Sequence, residues 1–374
     1  MEPVKIGLVG VGGMGRSHLR KLAELEEVKL VGVADVNQAA VDAAASEYGV
    51  PGYTSHKALI EESGAEAVLI AVPHPFHAPI ALDAAARGLH VLCEKPIAVT
   101  VSEADAMIEA CNKAGVLLGV NFQRRLEPAV RKAKEIIDSG TLGQIYEAEM
   151  ISTNWYRLQS YYDSGAWRGT WKGEGGGILA NQTPHNLDLY AWLVGLPQAV
   201  TARVLTRFHH IETENTVHAI MEYPNGMTGY FRATTADPIG VDRVEVHGTH
   251  GRLVLERRSV KLCRYSPSIP EHIHNAKDRR SDPFKAEWEE VPLTEPGGDH
   301  GEVARRFARA IRYGEPLVAT GEDGRRALEL ANAMHLSGLR RRTVELPLDR
   351  AEVDRLFEEL RSGQLGVQSG KLAG

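Results

Sequence analysis

Six residues, Gly10-Val11-Gly12-Gly13-Met14-Gly15, constrain the fold of this chain more than any others. They spell Gly-x-Gly-x-x-Gly directly after a β-branched run, Val4–Val9, and at the head of a helical stretch, Gly13–Leu25. Glycines so spaced allow a tight strand-to-helix turn, close backbone approach to a pyrophosphate, and close helix–strand packing. The helix N-terminus then faces the phosphate charge. Such a turn belongs at the edge of a parallel sheet, and the residues up to Val120 carry the matching alternation. Strands are predicted at Val4–Val9, Val28–Ala34, Ala67–Val72, His90–Cys93 and Val116–Val120, with a short one near Tyr53. Between them lie predicted helices at Gln38–Tyr48, Ser55–Glu62, His77–Arg87 and Ser102–Ala114. Strands separated by amphipathic helices make an α/β, doubly wound parallel sheet.

Asp35 ends the second strand, 20 residues after Gly15. A carboxylate there is placed to hydrogen-bond an adenosine ribose 2′-hydroxyl and to repel a 2′-phosphate. No Arg or Lys follows it in Val36-Asn37-Gln38, so NAD is expected in preference to NADP. Gly10, Gly12, Gly13, Met14, Gly15 and Asp35 are therefore cofactor-binding candidates. The plainer alternative is a glycine turn with a helix-capping aspartate. Val72-Pro73-His74-Pro75-Phe76-His77 leaves the fourth strand, and its backbone, at Pro73 and His77, could pass along the cofactor. The histidine side chains suit turn and helix-start chemistry. No further ligand cluster accompanies them, so no metal site is expected.

After Phe122 the pattern changes. A helix at Pro128–Ser139 precedes β-type segments with no helices between them: Ile145–Thr153, Val200–Phe208, Thr216–Tyr223, Met227–Thr235, Val241–His247, Arg252–Glu256 and Val260–Tyr265. Asn225-Gly226 inside Tyr223–Met227 reads as a hairpin turn, because both residues tolerate positive φ. This is an α+β arrangement with a largely antiparallel open sheet. Ser266–Asp282 reads as a surface excursion, Glu302–Tyr313 and Gly321–Arg340 as helices, and Ser362–Gly374 as a frayed tail. The division expected is 1–123 for dinucleotide, 124–345 for substrate and oligomerisation, and 346–374 for a C-terminal helix and tail. A net charge of −6 over 374 residues offers no basic field for nucleic acid. Cys93, Cys111 and Cys263 are scattered and odd in number, which fits a reducing cytoplasm. Neither a secretory signal nor a membrane-length apolar run is visible.

Glu94-Lys95-Pro96 follows the fifth strand. A lysine at the carboxyl edge of an open α/β sheet lies where ligand chemistry is expected; alternatively it is a solvated strand-end lysine. Together with Gly10–Gly15, Asp35 and Gly175-Gly-Gly-Ile-Leu-Ala-Asn-Gln-Thr-Pro-His185-Asn-Leu-Asp188, this tripeptide makes the chain resemble the Gfo/Idh/MocA family. The resemblance spans nearly the whole chain and implies a Rossmann domain followed by the α+β domain. It also implies an oxidoreductase in which Lys95 stabilises a developing alkoxide, with Glu94 near the nicotinamide ribose. The family's Asp-x-Gly-x-His pattern reads here Asn181-Gln-Thr-Pro-His185. The histidine is kept as the candidate base, and an amide stands where the aspartate would be. Asn181 can orient a hydroxyl or an imidazole but cannot exchange protons. The change resembles branches that oxidise a ring hydroxyl at C3. Thr183-Pro184 suits an N-cap and first helical residue, which would leave Asn181 in the preceding turn. Asp188 is expected to be structural, pairing with or orienting His185.

Asn154–Trp171 carries six aromatics in 18 residues. Tyr156, Tyr162 and Trp167 offer faces for stacking a sugar ring, and Arg157 and Arg168 offer hydroxyl donors. Packing between domains or subunits is the competing use. Gly175–Gly177 is expected to let the chain pass close to nicotinamide or ligand. Asn121, Arg124 and Arg125 leave the sixth strand at the same edge; the arginines suit either an anionic ligand or ion pairs across the domains. The expected function is NAD-dependent oxidation of a sugar, anhydrosugar, glycoside or cyclitol, by a homodimer or homotetramer. Lys95, His185 and Asn181 are its catalytic candidates. The alternatives are an NAD-using glycoside hydrolase or lyase acting by transient oxidation, and a silent sugar-sensing homologue.

Overall fold

Strand β1 (Val4–Val9) is buried at every position except Lys5, as a central parallel strand covered on both faces must be. The computed structural model describes residues 2–278 and 280–368. After β1 come α1 (Gly13–Ala23), β2 (Val28–Ala34), α2 (Gln38–Tyr48), β3 (Gly52–Tyr53), α3 (His56–Glu62), β4 (Ala67–Ile70), α4 (His77–Ala86), β5 (His90–Cys93), α5 (Val101–Ala114) and β6 (Leu118–Val120). The strands form a parallel sheet in the order β3-β2-β1-β4-β5-β6. Strand order reverses between β1 and β4, which opens a crevice at their carboxyl ends, where the glycine turn sits. The fourth strand is shorter than its sequence suggests. Its pairing with β1 ends at Val9 opposite Ile70, and the chain turns away ahead of Pro73.

The second region contains α6 (Pro128–Asp138), β7 (Ile145–Ser152), α7 (Gln159–Asp163), α8 (Pro184–Val194), β8 (Ala199–Leu205), β9 (Thr216–Glu222), β10 (Thr228–Thr234), β11 (Asp242–Gly248), β12 (Gly251–Glu256), β13 (Ser259–Ser266), α9 (Ile269–Asn275), β14 (Lys285–Glu290), α10 (His300–Tyr313), α11 (Gly321–Arg340), β15 (Val344–Glu345) and α12 (Arg350–Arg361). Its nine-stranded sheet runs β14-β13-β12-β11-β7-β10-β9-β8-β15. Every pair is antiparallel except β7 with β10. In β9 and β10 buried and exposed residues alternate, so one face packs on helices and the other is open.

The helices after this sheet join the two regions. Val303, Ala304, Phe307 and Ala308 of α10 share a core with Val4, Ile6 and Leu8 of β1. Thr320, ahead of α11, forms a β-bridge with Gly119 of β6. Arg125, in the segment just after β6, pairs with Asp188 of α8 and Asp323 of α11. Three local features depart from the sequence reading. The excursion after Ser266 holds α9, begun by a capping box of Ser268 and Glu271. Strand β14 is exposed at every residue and strongly charged, so it lacks the apolar alternation that marks a half-buried strand. The tail packs back as far as Gln368, whose carbonyl accepts from Thr206 N–H at 3.1 Å. The rest of the expected frayed tail, 369–374, lies outside the described residues. Among the described residues no helix is long and apolar enough to cross a membrane.

Candidate active site

At the cofactor edge, the site is made mostly of backbone. A Cβ on Gly15 would meet the Gly10 carbonyl oxygen at 1.9 Å, so only glycine lets α1 start this close to β1. At Gly12 and Gly13 a Cβ would meet nothing within 4 Å. No side chain caps α1 and no acidic residue stands in its first turn. An open helix N-terminus of this kind suits a pyrophosphate. Asp35 follows β2 and accepts from Val11 N–H at 2.9 Å and Asn37 N–H at 3.0 Å. It thereby tethers the glycine turn, and Asn37 caps α2. The residues present fit a dinucleotide.

At the end of β5, Glu94 is buried. It lies 2.7 Å from His18 Nε2 and accepts from Asn121 Nδ2 at 2.9 Å. Burial alone would raise its carboxyl; His18 and the Lys95 ammonium outweigh burial and hold it at about 2. The Lys95–Pro96 bond is cis. Both His77 ring nitrogens lie 2.8 Å from carbonyl oxygens, those of Pro96 and Val72. His77 thus fastens the loop after Pro73 to the loop after Lys95, with its side chain fully buried. His74 lies 2.8 Å from the Glu174 carbonyl oxygen. Burial, with His77 and Lys95 nearby, pushes its imidazole down to about 3.

Lys95 Nζ donates to the Asn181 carbonyl oxygen at 2.9 Å. Burial lowers the ammonium, while Glu94 and Glu174 act in the opposite sense. Helix α8 starts at Pro184 behind Thr183, which leaves Asn181 in the preceding turn. The Thr183 hydroxyl donates to the Ile178 carbonyl at 2.8 Å instead of capping the helix. His185, on the first turn, is 8% exposed. Burial and the Lys95 charge push its imidazole well below 6.5, so it is neutral. Its Nε2 lies 3.4 Å from Gln123 Nε2. Asp188 does not orient it. That carboxylate takes both a 2.9 Å and a 2.6 Å hydrogen bond from Arg125. Arg124 pairs with Asp242 at 3.0 Å. Both arginines therefore serve ion pairs.

Lys95, Asn181 and His185 line one cleft of about 660 Å³ with Met14 of the glycine turn, Trp155 and Arg157. Tyr156, Tyr162, Trp167 and Arg168 stand outside that wall. Tyr162 is buried, with its hydroxyl 3.0 Å from Thr235 Oγ1. Arg168 packs on the Trp167 and Tyr161 rings and donates to the Tyr161 hydroxyl at 2.6 Å. Tyr156 is 44% exposed. The glycine run serves protein packing: a Cβ on Gly177 would meet the Glu214 carbonyl oxygen at 1.8 Å. The Glu214 carboxylate accepts from Gly177 and Leu179 N–H groups. Sequence reasoning passed over Glu174, His18, Gln123, Arg257 and Arg258. Glu174 carried a signal in its place directly before Gly175, whereas His18 and Gln123 are recognisable only through their partners.

Two family models match this chain. One describes an oxidoreductase family with an NAD-binding Rossmann fold, over residues 4–122. The other describes the GFO/IDH/MocA C-terminal domain, over residues 130–254. Among curated relatives, a myo-inositol 2-dehydrogenase of Thermotoga maritima is 25% identical, covering 92% of this chain and 98% of its own. A levoglucosan dehydrogenase of Pseudarthrobacter phenanthrenivorans is 26% identical over 93% of this chain and 99% of its own. Among solved structures, the WlbA dehydrogenase of Bordetella pertussis, in complex with NADH and UDP-GlcNAcA, superposes with a TM-score of 0.79 at 27% identity. That match covers 93% of this chain and 100% of the other. With the two models matched in order across residues 4–122 and 130–254, together more than half of the chain, this chain is an oxidoreductase of the Gfo/Idh/MocA family.

Proposed function

We propose that the chain is an NAD-dependent dehydrogenase that oxidises a ring hydroxyl, assigned to C3, of a sugar, anhydrosugar, glycoside or cyclitol. The observation that carries this reading is the meeting of Lys95, Asn181 and His185 in one cleft with Met14 of the glycine turn. NAD, when bound along Gly10–Gly15 and Asp35, supplies the two-electron oxidant. Lys95 donates to the substrate oxygen and stabilises the charge that develops there. His185 is neutral because it is buried, and Nε2, beside the Gln123 amide, accepts the hydroxyl proton. Glu94, held ionised by His18 and Lys95, keeps the strand end anionic beside that lysine.

An acidic substituent on the ring is favoured over a wholly neutral one. Arg157, Arg257 and Arg258 line the cleft, and none of the three has a carboxylate partner among the described residues. The UDP-GlcNAcA held by the Bordetella dehydrogenase carries such groups. We also assign the open face of the second sheet to self-association. Ile220 and Tyr230, cross-strand partners on β9 and β10, are 49% and 39% exposed there.

A substrate panel tests the reading. Neutral sugars, cyclitols, 1,6-anhydrosugars and sugar acids, free and nucleotide-linked, are offered with NAD and with NADP, and absorbance of the reduced nicotinamide is followed. Turnover of a ring polyol with NAD is expected. Absence of turnover across the panel, or a preference for NADP, would overturn it. Tightly retained cofactor with bond cleavage and no accumulated NADH would point instead to a hydrolase or lyase working by transient oxidation.

A further inference from the structure

Glu174 is an acid with no role in the reaction as derived so far, although it is 1% exposed and adjoins the reacting groups. Its Oε2 accepts from Gly169 N–H at 2.6 Å, and its Oε1 accepts from the Asn181 side-chain amide. Its backbone carbonyl meets His74, so the residue is fixed at both ends. A carboxylate that takes two N–H donors, and donates nothing, has the pattern of the ionised form. It also settles the Asn181 amide. The nitrogen must face Glu174, and it reaches Tyr161 Oη at 3.3 Å as well. That leaves Oδ1 as the atom Asn181 can offer a substrate hydroxyl.

We propose that Glu174 is a positioning residue of the reaction. It restores, one side chain behind Asn181, the negative charge that an aspartate at 181 would have carried opposite Lys95, and it aims the Asn181 amide. Asparagine at 181 is thus a relocation of charge from the cleft surface into the wall behind it. This inference rests on the dehydrogenase reading above. The groups facing Lys95 are Glu94 at the end of β5, Glu174 ahead of α8, His185 on α8, His74 ahead of α4, His77 at the start of α4 and His300 on α10. Burial lowers all four histidines, so Glu94 and Glu174 alone oppose the ammonium. Burial pushes Glu174 above the ordinary carboxylate range, against the pull of Gly169 N–H, Asn181 and Arg168. It therefore takes up a proton at a higher pH than an exposed glutamate.

The test uses Glu174→Gln, Asn181→Asp and the double variant. In Glu174→Gln, kcat/KM falls about tenfold, and its alkaline limb moves about one pH unit lower, because Lys95 loses a counter-charge and deprotonates sooner. Asn181→Asp alone sets two carboxylates in contact, so one holds a proton and the acid limb rises. The double variant has one carboxylate again, and its alkaline limb returns toward wild type. NADH binding, read by fluorescence, is unchanged in all three. Lys95 titration, followed by NMR of its ε-carbon in the cofactor-free protein, shows the same downward shift in Glu174→Gln. That readout is independent of turnover, so it separates this inference from the dehydrogenase reading, which stands or falls with Lys95→Ala. An unmoved Lys95 titration in Glu174→Gln overturns the proposal. So does an Asn181→Asp variant with the wild-type pH profile, which remains decisive if Glu174→Gln does not fold.

Discussion

The two walls of the cleft are held by different means. The cofactor wall is backbone and small residues: an uncapped helix, glycines at Gly10, Gly12 and Gly15, and one carboxylate, Asp35, gripping two main-chain N–H groups. The substrate wall is a web of side chains. Glu174, Asn181, Tyr161 and Arg168 bond to one another, and Glu214 anchors the turn beneath them. A wall of backbone tolerates change in most side chains and fails at a few glycines. A wall of bonded side chains fails wherever one partner is removed, because the other is left buried and unpaired.

Lys95 belongs to both walls, being on the first and bonded to the second. Lys95→Ala is expected to cost the most, about 10³-fold in kcat/KM, with NADH affinity nearly unchanged. Steady-state kinetics beside NADH titration reads it. If kcat/KM stays at wild type, the lysine is structural and the two walls have no chemical link.

Breaking each wall separately comes next. In Gly15→Ala the new methyl meets a carbonyl oxygen, and NADH affinity is expected to fall by about 100-fold or more, since helix and turn must part. In Glu214→Ala, two N–H groups, those of Gly177 and Leu179, lose their buried partner. A stability loss of about 3 kcal/mol is expected by denaturant titration. The opposite pattern, with Gly15→Ala harming only stability and Glu214→Ala harming only NADH binding, would erase the distinction.

A smaller effect concerns pH. His185 is buried beside Lys95 and held well below 6.5. A base works in its neutral form, and a lowered pKa keeps it neutral until the pH drops below that lowered value. Activity is therefore expected to be level from about pH 8 down through about 6.5, the ordinary histidine value. An acid limb centred near 6.5 that disappears in His185→Asn would show an exposed, ordinary imidazole and a substrate wall far looser than this one.

The same contrast explains what the sequence made legible. The glycine turn, Asp35 and the parallel strands declare themselves by spacing, because their partners are backbone atoms a fixed number of residues away. Lys95 and His185 were legible through motifs. The relation between them was not. Asn121 and Glu94 lie 27 residues apart and His18 and Glu94 76 apart, separations no local pattern encodes. Asp188 was read as a neighbour of His185, three residues away on one helix, but it turns to Arg125, 63 residues off. Aromatic density in Asn154–Trp171 marked the right segment without separating Trp155, which lines the cleft, from Tyr162, which is buried behind it. Burial decides that division, and burial belongs to the fold as a whole.

The smallest effect is expected at Asp35, where charge and tethering can be separated. Asp35→Asn keeps the shape and one acceptor oxygen but loses the negative charge. One N–H of the turn, from Val11 or Asn37, must then go without its present partner. A hydrogen bond to a charged acceptor is worth about 1.5–3 kcal/mol, and about 1.4 kcal/mol is a tenfold change in affinity. The ratio of kcat/KM with NAD to that with NADP is expected to fall about tenfold in Asp35→Asn, with the Lys95 and His185 chemistry untouched. Asp35→Ala removes both tethers as well, so it should weaken both cofactors together beyond that change in ratio. If the ratio is the same in wild type and Asp35→Asn, the carboxylate serves only to hold the glycine turn. Its place after β2 would then be a matter of loop geometry, with discrimination between the two dinucleotides residing elsewhere on the backbone wall.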